Sequence, residues 1–271
     1  LYHFIEGEFT KAINCANSNL YQEDIVDIDF ERLLFSYAGL SAISLGEYEV
    51  AVSMLNRAIS RAQARKTPMN VDGLRGILAY AYLMWNEDER AFEIIDDLLG
   101  MNASAVFTYS SYTSVKILSY NHYRHGRLQQ AYRVMRNWLP KDGRLGLIHS
   151  NSLIMPFMLE MLAAFSAAGL PPLYDIPLQQ EIDNALTSPS KTHQAAAWRA
   201  RAIIAAHEFG QNAPEVLEYL EQSLSILRGL YAPMDMCRTL EALCRFHLTC
   251  GREDLAREAA STAWHQISGS K

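Results

Sequence analysis

Cysteine is scarce in this chain. Cys15, Cys237, Cys244 and Cys250 are its full complement over 271 residues, too few and too unevenly spaced for a disulfide framework, and they are expected to be reduced core thiols. An excess of positive charge is also missing. Twenty-four lysines and arginines stand against thirty aspartates and glutamates, a net charge of −6, which argues against nucleic-acid binding through the whole surface, because phosphates must be met by Lys and Arg. No uninterrupted apolar span occurs either. The most apolar stretch, Leu153 to Leu170, holds Pro156 and Glu160, whereas a spanning helix needs about 20 apolar residues nearly free of charge, so a buried helix and no membrane contact are expected. The first residues carry neither an initiator methionine nor a basic, apolar signal segment, and the chain is expected to be a cytoplasmic piece of a longer protein. Phosphate-cradling glycine loops and a nucleophile elbow are likewise lacking, and no run alternates convincingly as a strand would.

What is present is helical periodicity broken at regular places. Gly46, Gly126 and Gly251 each follow an apolar helical stretch, and each is followed five residues later by an alanine, Ala51, Ala131 and Ala256, that opens a second stretch. The glycine turns the chain and the alanine lets two helices approach closely. Asn86, tolerant of left-handed backbone, takes the same place before Ala91. Apolar positions at three- and four-residue spacing fill the rest. The expected organisation is one domain over 1–271, with a half repeat at 1–20 and helix pairs at about 30–66, 71–100, 103–140, 148–187, 191–230 and 234–268. The fifth and sixth pairs, around Pro171, Pro172 and Pro214, are the irregular ones.

In the second repeat, Phe35, Ala38, Gly39, Gly46, Tyr48, Ala51, Leu55 and Ala58 resemble the small-and-large pattern of the tetratricopeptide repeat family. Weaker copies are Leu78, Ala79, Tyr82, Ala91 and Leu98, then Leu118, Gly126, Leu128, Ala131 and Trp138, then Leu243, Gly251, Ala256 and Ala263. The array is also similar to the degenerate sensor or interaction segments of large bacterial regulators of the maltose-regulator type. The resemblance implies an all-α fold, a right-handed α-solenoid of antiparallel helix pairs, in which the first helix of each pair lines a concave surface. In the family that surface binds partner peptides; in regulators of this type it can hold a small ligand.

Projected onto the concave side, the first helices present Leu40, Ser44, Tyr80, Met84, Lys116, Tyr120, Tyr123, Arg124, His207, Arg238, Glu241 and Arg245. Between Ser111 and Leu145, Lys116, Arg124, Arg127, Arg133, Arg136, Lys141 and Arg144 face one acid, Asp142, with Tyr112, Tyr120, Tyr123, Tyr132 and Trp138 interleaved. Rings and guanidinium forks suit a groove for an acidic peptide or a small anionic ligand. The bland alternative is neutralisation across the repeat boundary by Glu87, Asp88, Glu89, Glu93, Asp96 and Asp97. His122 and His125 have the spacing of a metal pair but no third ligand, and His122 and His247 fall where the family packs an aromatic. No metal, cofactor or enzymatic activity is expected. Arg57, Arg61, Arg65 and Lys66 lie on a second helix, where solvation or a contact to a neighbouring domain is expected. A protein or peptide partner is the leading expectation, with a small-ligand sensor and self-association as alternatives.

Overall fold

Gly46 adopts φ 76°, the left-handed region that an L side chain rarely enters. Around it the backbone closes two bonds: Glu47 N–H donates to Ala42 O at 2.9 Å and Gly46 N–H to Ile43 O at 3.0 Å. This pair of bonds satisfies carbonyls that the helix end would leave open. The same two bonds close the helices at Asn86, Gly126, Gly169 and Gly251, all with positive φ. Left-handed residues recur about every 40 residues, at positions 7, 46, 86, 126, 169, 210 and 251. Lys66, at φ 56°, makes the same turn between two pairs.

The computed structural model describes residues 1–20, 28–102, 109–138, 155–173 and 177–268. All regular structure among them is helical, in fourteen helices. These are α1 (Tyr2–Ile5), α2 (Phe9–Leu20), α3 (Ile28–Leu45), α4 (Tyr48–Ala64), α5 (Pro68–Met84), α6 (Asp88–Asn102) and α7 (Tyr109–Arg124). They continue as α8 (Leu128–Trp138), α9 (Phe157–Ala167), α10 (Leu178–Leu186), α11 (Lys191–Glu208), α12 (Pro214–Arg228), α13 (Pro233–Thr249) and α14 (Glu253–Ser268). Among the described residues no helix is long and apolar enough to cross a membrane.

The residues divide into two compact units, one of Leu1–Phe4 with Glu8–Leu139, the other of Ile5–Gly7 with Pro140–Lys271. In the first, α3 packs against α4 and α5, and α5 against α6 and α7. Ala12, Ala51, Ala91 and Ala131, each five residues past a left-handed turn, are buried to 6% exposure or less, and each donates its backbone N–H to the carbonyl four residues before it at the start of its helix. Phe35, Leu55, Leu74 and Leu83 are the large side chains sealed between them. Close approach is visible at Gly39, where an added Cβ would stand 2.9 Å from Leu55 Cδ2.

In the second unit, α9 packs against α10 and α11, α11 against α12 and α13, and α13 against α14. Leu159, Ala163, Ile182, Ala185, Ala196, Ala197 and Ala200 form one core, in which alanines bring α9, α10 and α11 together. Leu220, Leu224, Leu240, Leu243 and Phe246 anchor the next. The expected buried helix around Glu160 is α9, with Phe157, Met158, Leu159, Met161 and Phe165 inside.

Candidate functional site

In the first unit, helix α7 carries four of the expected site residues, and the structure buries two of them and half-buries the other two. Lys116 is 1% exposed, Tyr120 8% and, on α5, Tyr80 6%. They are packing residues rather than the lining of an open groove, because α5 and α7 lie against each other. Burial pushes the Lys116 ammonium down to about 7. Tyr123 is half-buried, its ring 6.3 Å from that of Tyr120.

Arg124 is engaged within the protein. Its Nε donates to Asn121 Oδ1 at 3.0 Å, Nη1 to Leu83 O at 2.9 Å and Nη2 to Asp88 Oδ1 at 2.7 Å. The guanidinium therefore ties α7 to the end of α5 and the start of α6, and the Asp88 pair is one contact of the neutralisation considered above. Arg127, Arg133 and Arg136 are exposed. Lys141, Asp142 and Arg144 lie outside the described residues, as do the side chains of Tyr112 and Trp138.

Other expectations are corrected by the same geometry. Arg61 Nε donates to Glu31 Oε1 at 2.6 Å and Arg65 pairs with Glu31 Oε2. Two of the four residues expected to be solvated or docked elsewhere thus clasp a buried carboxylate on α3. Cys15 is exposed, and Cys237, Cys244 and Cys250 are only half-buried, so the core assignment fails for Cys15. Burial pushes the Cys237 thiol up to about 11. The His122 and His247 rings are half-buried, with Nδ1 atoms that are sealed and lack a hydrogen-bond partner, in keeping with packing. Burial first, then Arg127 and His125, holds His122 below the usual imidazole range. Among the described residues no group of three His, Cys, Asp or Glu could hold a metal.

In the second unit, His207, Glu241 and Arg245 are exposed on α11 and α13, and Arg245 Nη2 donates to Glu241 Oε1 at 2.6 Å across one helical turn. Arg238 is half-buried beside Asp235 at 3.6 Å. Behind this face lies a cluster that sequence reasoning missed. Arg199, 2% exposed, donates from Nε and Nη2 to Glu160 Oε1 at 3.0 and 2.8 Å. It also reaches Asp235 Oδ1 and Thr239 Oγ1, each at 3.2 Å, and Ser223 Oγ is 3.0 Å from Thr239 Oγ1. Burial opposes the Arg199 charge, but Glu160 and Asp235 outweigh it and hold the guanidinium above its ordinary value. The available signal was an arginine within a run of buried alanines on α11 and a glutamate within the most apolar stretch.

The second unit also contains a cleft of about 350 Å³ between the end of α9, the Leu170–Leu173 loop and the start of α10. Among the described residues Leu162, Phe165, Leu170, Leu173, Leu178 and three prolines line it, with Glu181 and Ser166 as the polar ones. Sequence reasoning marked the irregular turn but not the space it leaves. No family model matches the chain, and no curated protein matches it in sequence.

Proposed function

We propose that this chain is a right-handed α-solenoid of antiparallel helix pairs, similar to the tetratricopeptide repeat family, which binds a partner peptide or domain and performs no chemistry of its own. The observation that carries this reading is the recurring turn, closed by the same two backbone bonds at Gly46, Asn86, Gly126, Gly169 and Gly251. The packing supports it: first helices touch the first helix of the next pair, α3 with α5 and α5 with α7, then α9 with α11 and α11 with α13. Stacking of neighbour on neighbour makes extended surface from short repeats. The spacing exceeds the roughly 34 residues of a tetratricopeptide repeat, and the additional length lies in helices of 17 and 18 residues such as α3, α4 and α5.

His207, Glu241 and Arg245 are the accessible groups on which partner binding rests. Replacing all three by alanine is expected to abolish capture of a cellular partner while leaving the far-UV circular dichroism melt unchanged. Equal capture by variant and parent would remove this face from consideration.

The second reading is a small-ligand-sensing domain of a bacterial transcription regulator, favoured by the cleft between α9 and α10. A ligand that binds only the folded chain raises its melting temperature by mass action. A metabolite screen with no such shift would end this reading.

A further inference from the structure

We propose that the cleft between α9 and α10 binds a small apolar ligand bearing one cationic amino group, with the ammonium seated on Glu181. This extends the ligand-sensing reading and uses none of the residues assigned to partner capture. The cleft lies where the spacing of the repeat changes. At Gly46, Asn86, Gly126 and Gly251, the residue five places on is a buried alanine that starts the next helix against the last. Five places after Gly169 the chain has Tyr174, and α10 begins only at Leu178. Leu162, Phe165 and Ser166 on the last turns of α9 form one wall of the cleft.

Pro171, Pro172 and Pro177 line the opposite side; each has φ set by its ring, and restricted backbone at a lining residue favours affinity by reducing what a ligand must order. Its volume, about 350 Å³, is that of a small-molecule site, and such sites pair an apolar lining with a few placed polar groups. Ser166 is exposed at the rim. Among the described lining residues Glu181 is the one that ionises; it is 9% exposed and stands in the first turn of α10, where the helix dipole favours negative charge. A carboxylate has about four acceptor positions, so it can take an ammonium donor in addition to its contacts within the protein. A ligand carboxylate in the same place would set like charges together in a poorly solvated space.

Calorimetric titration with three probes sharing one apolar body, phenylbutylamine, phenylbutanol and phenylbutyrate, tests the assignment. The amine is expected to bind about tenfold or more tighter than the alcohol, since a hydrogen bond to a charged group contributes that much, with the carboxylate weakest. Glu181→Gln should bring amine and alcohol within about threefold of each other. Ser166→Trp, at the exposed mouth, should remove binding of all three while the dichroism melt is retained. The proposal is overturned if no probe binds, if the carboxylate or alcohol binds as well as the amine, or if the amine preference survives Glu181→Gln. It is also overturned if Ser166→Trp binds as the parent does. A metabolite that raises the melting temperature of parent and Ser166→Trp equally would keep the sensing reading and sink this site.

Discussion

Lys116 is a cation placed where cations are costly. Burial lowers its ammonium from 10.5 to about 7, so the unfolded chain holds that proton better than the folded one. Above pH 10.5 both states are neutral there and nothing is lost; as pH falls toward 7 the folded state is progressively penalised. Lys116→Met is expected to raise stability at pH 7 by about 1–4 kcal/mol, with the gain shrinking toward pH 10, read from urea midpoints. A gain independent of pH would contradict the assignment. His193 has the same sign at lower pH. Burial takes its imidazole from 6.5 to about 4, so the stability linked to the neutral ring is complete above pH 6.5 and is lost on the way down to 4. From pH 6.5 to 5 the loss should be about 2 kcal/mol, and His193→Gln should flatten that part of the stability profile.

At the scale of the helix, two glycines separate local propensity from packing. Gly39 and Gly100 both sit inside helices, α3 and α6. A Cβ at Gly100 would meet nothing within 4 Å, whereas at Gly39 it would press on Leu55, which is fully buried. Gly100→Ala is expected to stabilise by about 0.5–1 kcal/mol through backbone entropy alone. Gly39→Ala should destabilise by about 1–3 kcal/mol, the overpacking outweighing the same entropic gain. Denaturant midpoints of the two variants moving in the same direction would refute this account of the α3–α4 contact. Turns such as Gly46 and Asn86 were legible from sequence because a left-handed backbone admits few residue types, and a close helix contact admits little beyond alanine. The burial of Tyr80, Lys116 and Tyr120 was not, since helical projection places a side chain on a face without saying what presses on that face. Here α5 and α7 press on each other.

Across the molecule, the tie that sequence reading could least reveal is Arg199, which joins α9, α11 and α13 through partners 39 and 36 positions away. No local pattern announces such a set, and the cleft was hidden for a related reason: its lining comes from α9, a loop and α10, which no single stretch of sequence brings together. Arg199→Ala takes the guanidinium from Glu160 and leaves Asp235 with Arg238 alone, and is expected to cost about 3–5 kcal/mol. Hydrogen exchange should quicken in α9 and α13 together. Faster exchange confined to α11 would mean that the three helices are not coupled through this guanidinium. The left-handed residues, finally, act as a counter that resets the chain's phase. Between Gly46 and Gly126 the count runs evenly through Asn86, so gain or loss of one whole interval there is expected to keep the following helices of the first unit in phase. Among the described residues the next reset after Gly126 is Gly169, and the helix that follows it, α10, starts nine residues on rather than two. Lengthening or shortening the chain by a full period is therefore tolerable before that point, while around Gly169 the same change would alter which residues enclose a space.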